Sequence, residues 1–524
     1  MKILVIGGTA FTGPHVVRQL AKARHEVALF HRGQTEAKLP KQVQHILGDR
    51  REWEAHKEAL QRFEPEIVLD MIAMGPQSAW EVLCTFGGIA RRVVALSSQD
   101  VYRAYGTLIG LNAGPVEATP LSEDAPLREL LYPYRGQVQS AEDRMYNYEK
   151  ILVERLYLGD PQMQATILRL PMIYGPRDRQ HRTYPYLKRM DDGRPYILLG
   201  KGMAGWRWTK GYVQDVAQAI ALAVLDERAA GRVYNVGEEN ALTELEWVQA
   251  IGIAAGWDGQ IALIPAGRLP AFLDPGINAD QPLVTDTSRI REELGWEEQV
   301  PFERTLHQTI DWQRRNPPAQ IDEARFDYAA EDEVLKELGI RRKTKDEGRT
   351  AVRLSSFVLR LHEETMRDAT LIILVRGNPP EKVLLGMKKA RFGANKYNGF
   401  GGKVEPGETI LQAAARELAE EAGLQVALSD LRPVGRLTFL FPHKREWEQV
   451  VHVYCADTWR GTPGESEEMA PAWFHVDEIP YDEMWDDDRH WLPHVLDGKR
   501  IRATFTYRAD NETVERFEIE DWER

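Results

Sequence analysis

Cysteine is nearly absent: Cys84 and Cys455 are the only two in 524 residues. They stand far apart in sequence, so a disulfide framework is not indicated, and a reducing cytoplasm is the expected compartment. No apolar run reaches the roughly 18 residues of a membrane span, so no membrane partner is expected. The chain enters an apolar strand at Lys2 with no charged-then-apolar leader, which argues against export. An excess of positive charge is also missing. With 67 Lys and Arg against 80 Asp and Glu, the formal net charge is -13, and a nucleic-acid coat, which needs a basic stripe, is not expected. Internal repeats and low-complexity tracts are lacking too. At about 150 residues per domain, the length accommodates several units, and two substantial domains are expected.

What is present begins with Lys2–Ile6, a short apolar run that ends in Gly7, Gly8, Thr9, Ala10, Phe11, Thr12 and Gly13 and continues as a helix through Leu20. Strand, glycine-rich turn and helix together form a cradle for a pyrophosphate, because backbone N–H groups at a helix start favour an anion and glycine lets it approach. A second strand ends at His31 and Arg32, about 20 residues beyond the loop, where an acidic residue normally holds the ribose of NAD. Arg32 instead favours the 2′-phosphate of NADP over NAD. Further strands at 43–47, 67–71 and 92–96 alternate with helical segments, the pattern of a parallel, doubly wound α/β sheet.

The strand 92–96 runs into Ser97-Ser98-Gln99-Asp100, and later come Tyr146 and Lys150, read as one helix face at i,i+4 spacing. A lysine beside a phenol favours the phenolate, and a serine hydroxyl can orient an alcohol or ketone. In this order and spacing, residues 1–318 resemble the NAD-dependent epimerase/dehydratase branch of the extended short-chain dehydrogenases/reductases. The resemblance implies a Rossmann domain with a small substrate lobe, Ser98, Tyr146 and Lys150 as catalytic residues, and Asp49 near the adenine. It also leaves room for an oligomer formed through this domain. Dehydratases of the branch carry an Asp-Glu pair after the serine or threonine, whereas this chain has Gln99-Asp100. Epimerisation or carbonyl reduction, with a nucleotide sugar as one candidate substrate, is therefore expected before dehydration. The GGTxFxG style of the loop also resembles RNA-binding members, so a cofactor- or RNA-binding module is the alternative.

Residues 319–367 read as a linker: an acidic helix at 328–338, a charged run at 341–349, and a segment at 351–364 whose pattern fits either strand or amphipathic helix. Beyond it, 368–524 open with a β-hairpin and lead to Gly402–Leu424. There Glu417, Glu420 and Glu421 at i, i+3 and i+4 put three carboxylates on one helix face behind a glycine-rich loop. Carboxylates that close repel, and hard divalent cations gripping a polyphosphate would resolve the repulsion. Gly402, Glu408, Arg416-Glu417-Leu418, Glu420-Glu421 and Gly423-Leu424 resemble the complete Nudix hydrolase signature. This implies an α/β/α fold with a mixed sheet and Mg2+-dependent attack of water on a nucleoside diphosphate group.

The stretch from Lys388 to Lys403, together with Glu465–Met469 and Met484–Asp488, further resembles the animal-type oxidised purine nucleoside triphosphatases, which act on 8-oxo-dGTP and 2-hydroxy-dATP. Carried over, the base pocket comprises Thr370, Phe392, Asn398, Phe400, Met469, Trp485, Asp487 and Asp488. The metal side comprises the Gly401 carbonyl, Glu417, Glu420, Glu421 and Glu468. Glu420 and Glu421 are the catalytic candidates. Gly401, Gly402, Lys388 and Lys403 lie along the phosphates, with Arg416 orienting a glutamate. Two adjacent carboxylates facing one base should not both ionise, so one donates while the other accepts. Tyr397 and Asp486 depart from the family, which has Trp and Pro there. The expected substrate is an oxidised purine nucleoside triphosphate; ordinary nucleotides, dinucleoside polyphosphates or a nucleotide sugar are the alternatives.

Overall fold

The computed structural model describes residues 1–340 and 366–522, apart from 36, 113, 390–394, 406, 442–443 and 445–446. The expected basic run at 341–349, the ambiguous segment 351–364 and Phe392 lie outside the described residues. The chain divides into two compact units, Met1–Ala351 and Val352–Arg524.

In the first unit, β1 (Lys2–Ile6), β2 (Glu26–His31), β3 (Gln44–Leu47), β4 (Ile67–Asp70), β5 (Arg92–Ser98) and β6 (Gln164–Leu170) join a later strand, Val233–Asn235, in one parallel sheet. Its order runs from Val233–Asn235 through β6, β5, β4, β1 and β2 to β3. Period-two alternation sends Ile3 and Val5 into one core layer with the helices Gly13–Lys22 and Val213–Leu225. Leu4 and Ile6 enter the opposite layer, under Trp53–Gln61, Pro76–Phe86 and Lys150–Gly159. Both faces being covered explains the continuous apolar runs of the central strands β1, β2 and β4. Strand order reverses between β1 and β4, and a crevice for a ligand opens at such a switch point, beyond the carboxyl ends of the strands.

The stretch from 319, expected to be linker, is in part integral to this unit. Asp327 caps the helix Tyr328–Glu337 by accepting from Ala330 N at 3.0 Å. Arg189 donates to Glu331 at 2.7 Å with both side chains nearly inaccessible, and Leu335 packs with Leu198 and Ile264. The acidic composition that suggested solvation conceals this one buried glutamate, whose arginine lies 142 positions earlier.

The second unit is a mixed sheet sandwiched between helices. Its opening strand, β7 (Arg367–Arg376), pairs antiparallel with β8 (Lys382–Lys388) and parallel with β9 (Gln449–Ala456). β10 (Ile501–Tyr507) lies beyond the strand Arg432–Leu440 and carries Ile501, Ala503, Phe505 and Tyr507 on one buried face. The helix Ile410–Ala422 covers one side of the sheet and Asp488–Leu496 the other. Thr409 and Gln412 close a capping box at the start of Ile410–Ala422, and Gly423, at φ 67°, ends it in the left-handed conformation. Ala414, Leu418 and Ala422 bury its apolar stripe.

Removing one member of a buried ion pair leaves the other charge uncompensated and costs about 3–5 kcal/mol. Glu331→Ala is expected to destabilise the first unit by that amount in denaturant unfolding. The double change Arg189→Met with Glu331→Leu should recover most of the loss.

Candidate functional site

In the first unit the glycine-rich turn after β1 leads directly into the helix Gly13–Lys22. Gly7 and Gly8 adopt φ of 91° and 97°, and Gly13 approaches so closely that an added Cβ would stand 2.3 Å from the Gly8 Cα. Any larger residue at 13 would push the helix off the loop. Thr9 and Phe11 are partly exposed along the turn, and Thr12 is the residue before the helix. Arg32 is exposed just beyond β2. Asp49 caps the short turn Arg50–Glu52 and takes a fork from Arg51. That hydrogen bond, with smaller help from the charge of Arg32, lowers its carboxyl to about 2.

The tyrosine–lysine pairing differs from expectation. The helix begins at Lys150, so Tyr146 lies in the preceding turn and shares no helix face with it. Glu149 is the cause: its carboxylate accepts from Ile151 N at 2.8 Å and from Tyr132 N at 2.5 Å, fixing the chain's entry one residue before the lysine. Tyr146 is held by Arg135, which donates to its carbonyl at 3.0 Å and lies 4.9 Å from its ring centre. The phenol next to Ser98 is Tyr148, which donates to Asp100 Oδ2 at 2.7 Å and has the Lys150 Nζ 5.7 Å from its ring centre. Lys150 is buried, donates to the carbonyls of Ala73 and Leu96 at 2.6 and 2.8 Å, and is brought down to about 8 by loss of solvent. Burial raises the Asp100 carboxyl, and its Oδ1 has no partner among the described residues. Glutamate is not among the residues that ordinarily mark a helix start, so the cap at Glu149, completed by the distant Tyr132 N, was not legible in the sequence.

In the second unit a cavity of about 470 Å3 runs from the glycine-rich loop to the start of the helix Asp488–Leu496. At one end are Lys388, Gly401, Gly402, Lys403, Glu417, Glu421 and Glu468; at the other are Asn398, Trp485, Asp487 and Asp488, with Thr370 along the wall. The backbone turns tightly at the first end. A Cβ on Gly401 would overlap the Thr370 carbonyl at 1.9 Å, and one on Gly402 would meet the Glu417 carboxylate at 2.5 Å. Glu421 accepts from Gly401 N at 2.8 Å and faces Lys388 at 3.4 Å. Burial nevertheless raises it to about 7. Arg416 donates to Glu408, Glu417 and Glu420, holding the acidic face together, while Glu420 points largely to solvent.

Among the described residues no three acidic, histidine or cysteine groups are already drawn into an ion cage. The donor chemistry still fits a hard divalent cation. Glu417 and Glu421 offer carboxylate oxygens beside the Gly401–Gly402 backbone, and a hard cation bound there would take the place of the proton that burial favours on Glu421.

Phe400 and Met469 do not line the cavity. Both are buried with Ile372, Leu384 and Leu418 under the helix Ile410–Ala422, where Gly386 leaves them room: its Cβ would stand 3.1 Å from Phe400 and 2.9 Å from the Met469 sulfur. The cavity wall is instead completed by Phe439, Phe441, Val451, Trp491 and Tyr507. These residues were missed because they come from strands and a helix that carry only a generic apolar pattern. Asp486, which stands where the family has proline, turns away to accept from Val514 N at 2.9 Å and pair with Arg489 at 3.4 Å. Tyr397 packs on Phe474.

Asp487 and Asp488 are both buried. Desolvation raises both, Asp487 to about 6, and Asp488 is raised also through the charge of Asp487. A carboxyl whose pKa is raised by folding binds protons more tightly in the folded state, so its penalty is full at high pH and is relieved as pH falls through the folded value.

Residues 365–495 match the NUDIX domain model, and residues 3–237 match the NAD dependent epimerase/dehydratase family model. Over 159 residues the chain is 46% identical to an oxidized purine nucleoside triphosphate hydrolase of Danio rerio, covering 30% of this chain and 98% of that protein. The Mus musculus protein of the same name is 46% identical over 150 residues, 29% of this chain and 92% of that protein. The 2′-dehydrokanamycin reductase of Streptomyces kanamyceticus is 26% identical over 333 residues, 62% of this chain and 83% of that protein. Among solved structures, UDP-glucose 4-epimerase of Thermus thermophilus in complex with NAD aligns at 24% identity and a TM-score of 0.45, covering 60% of this chain and 100% of that one.

Asp488→Asn keeps an acceptor for Trp485 N and mimics the protonated carboxyl. Because Asp488 is the member of the pair that burial and the charge of Asp487 keep neutral, the variant is expected to melt within about 2–4 °C of the parent, a change of no more than about 1 kcal/mol, at both pH 5 and pH 8 in calorimetry of the full chain.

Proposed function

We propose that this chain, which belongs to the Nudix family through its second unit and carries an NAD-dependent epimerase/dehydratase domain in its first, hydrolyses oxidised purine nucleoside triphosphates to the monophosphate and diphosphate. The observation that carries the reading is one cavity with two chemically opposite ends. Lys388 and Lys403 stand where polyphosphate charge would lie, and the Glu417–Glu421 face stands beside them. Mg2+, when bound, would neutralise those carboxylates and share the charge developing on phosphorus. Arg416 keeps the glutamates in place, and Glu420 and Glu421 are the acceptors available for the proton of an in-line attacking water. At the other end Trp485 offers a plane to a purine, Asn398 a donor and acceptor, and the aspartate pair one proton between two carboxyls.

For the first unit we propose NAD(P)-dependent epimerisation or carbonyl reduction of a nucleotide sugar or similar carbonyl compound. The loop Gly7–Gly13 would hold the pyrophosphate, and Arg32 favours NADP. Ser98 and Lys150 are the proposed catalytic partners, with Tyr148, hydrogen-bonded to Ser98, in place of Tyr146 as the phenol. One observation supports the second reading, a cofactor- or RNA-binding module: Lys150 spends its ammonium on two backbone carbonyls. Two free cysteines are consistent with a cytoplasmic protein. No helix among the described residues is long and apolar enough to cross a membrane.

The deciding assay is initial-rate hydrolysis with Mg2+ over 8-oxo-dGTP, 2-hydroxy-dATP, dGTP, UDP-glucose, ADP-ribose and a dinucleoside polyphosphate. At least about tenfold preference in kcat/KM for the oxidised purines is expected, and Asp488→Asn should erode it by about 1–3 kcal/mol of discrimination. A preference for UDP-glucose or ADP-ribose would refute the base-pocket assignment. For the first unit, Tyr148→Phe should abolish hydride exchange, about 100-fold or more, while Tyr146→Phe keeps it. Unchanged activity in both would favour the binding module.

A further inference from the structure

Asp487 and Asp488 are held by different kinds of partner. Trp491 Nε1 donates to Asp487 Oδ2 at 3.0 Å, and the Tyr507 hydroxyl donates to Asp487 Oδ1. An indole N–H can only donate, so that oxygen is a fixed acceptor. A phenol can donate or accept, but here it meets the oxygen of a carboxylate already receiving one hydrogen bond, and donation is the favourable sense. Asp488 receives the backbone amide of Trp485 at 3.0 Å, with weaker help from Trp491. Tyr507 is rigidly placed for this task. It ends the buried face of β10, lies parallel to Phe441 with ring centres 4.5 Å apart, and meets Trp485 edge-on at 6.2 Å.

We propose that Tyr507 is a specificity-determining residue: its hydroxyl, together with Trp491, holds Asp487 as the permanent acceptor of the pair, so Asp488 keeps the proton. The pocket then presents a base with one acceptor and one donor in a fixed order. A purine with a carbonyl at C6 beside a protonated N1 and one with an amino group at C6 beside a bare N1 need opposite orders. A pocket with a fixed order ranks these two classes far apart, whereas a pair whose proton can sit on either carboxyl serves both. The purine part of this inference rests on the function proposed above; the hold of Tyr507 on Asp487 does not.

The other charged and titratable groups that act on the pair are Asp486, which opposes ionisation of Asp487, Lys396, whose charge favours ionisation of Asp488, and Tyr481, which senses Asp488. None of them donates a hydrogen bond to Asp487, so their influence persists when Tyr507 is changed.

The test uses the full chain. In an Asp488→Asn background, with 5-fluorotryptophan incorporated, the 19F signal of Trp491 reports the protonation of Asp487 in the absence of nucleotide. Adding Tyr507→Phe should raise the titration midpoint by about one unit, a tenfold gain in proton affinity, because a hydrogen bond to the charged form is lost. In the otherwise native protein, Tyr507→Phe should compress the kcat/KM ratio between 8-oxo-dGTP and 2-hydroxy-dATP at least about threefold and flatten its pH dependence. An unmoved midpoint overturns the inference whatever the kinetics. An unmoved ratio with a shifted midpoint overturns its consequence for selectivity. Failure of the parent to hydrolyse either oxidised purine would overturn the proposed function, while the 19F titration still decides the role of Tyr507.

Discussion

Two adjacent carboxyl groups withdrawn from water cannot both carry charge at ordinary cost, and the two ends of the second unit's cavity resolve adjacent carboxyls in different ways. At one end Asp487 and Asp488 share the penalty unequally because their hydrogen-bond donors differ. At the other, Glu421 sits buried against Gly401 while Glu420, one residue before it, remains in solvent. The helix geometry enforces the second asymmetry. Leu418 and Ala422 must face the core, and the turn that buries them carries Glu421 inward and Glu420 outward. The contrast in exposure between these two glutamates thus follows from packing, not from any difference in residue type.

Close backbone approach is the companion constraint. Gly13 against Gly8 in the first unit and Gly401–Gly402 against Thr370 and Glu417 in the second leave no volume for a side chain. In the first case the contact seats a helix N-terminus on a loop of backbone N–H groups, a placement suited to phosphate. In the second it brings peptide groups and a carboxylate together, a placement suited to a cation and the phosphates it bridges.

What was legible in the sequence was local or strictly periodic. The parallel sheet followed from apolar runs alternating with helices, and the helix Ile410–Ala422 from its capping box, its alanine–leucine stripe and Gly423. What escaped depended on contacts between distant segments. Tyr146 and Lys150 have the spacing of a shared face, but the face exists only if the helix reaches back to 146. Glu149 ends that helix by binding Ile151 and the backbone of Tyr132. Phe400 and Met469 follow the motif yet turn to the other side of the sheet, into space left by Gly386. Tyr507 and Phe441 look like any core aromatics until the fold brings them to Asp487. Glu331 was indistinguishable from its solvated neighbours until Arg189 closed over it.

These sites share one energetic signature. Lys150, Glu421, Asp487 and Asp488 are each moved toward the neutral form by burial, so each weakens the fold that holds it at neutral pH. Each is surrounded by a packed layer: Ala73, Val153 and Tyr157 around Lys150, Leu418 and Ala422 beside Glu421, and Phe441, Tyr507, Trp491 and Phe505 around the aspartate pair. Relaxing that packing would let water in, restore ordinary ionisation and remove the differences between chemically identical side chains. The stability of the cores and the chemistry of the sites are therefore linked through desolvation, because a tighter core makes the buried charge more costly and its proton more firmly assigned.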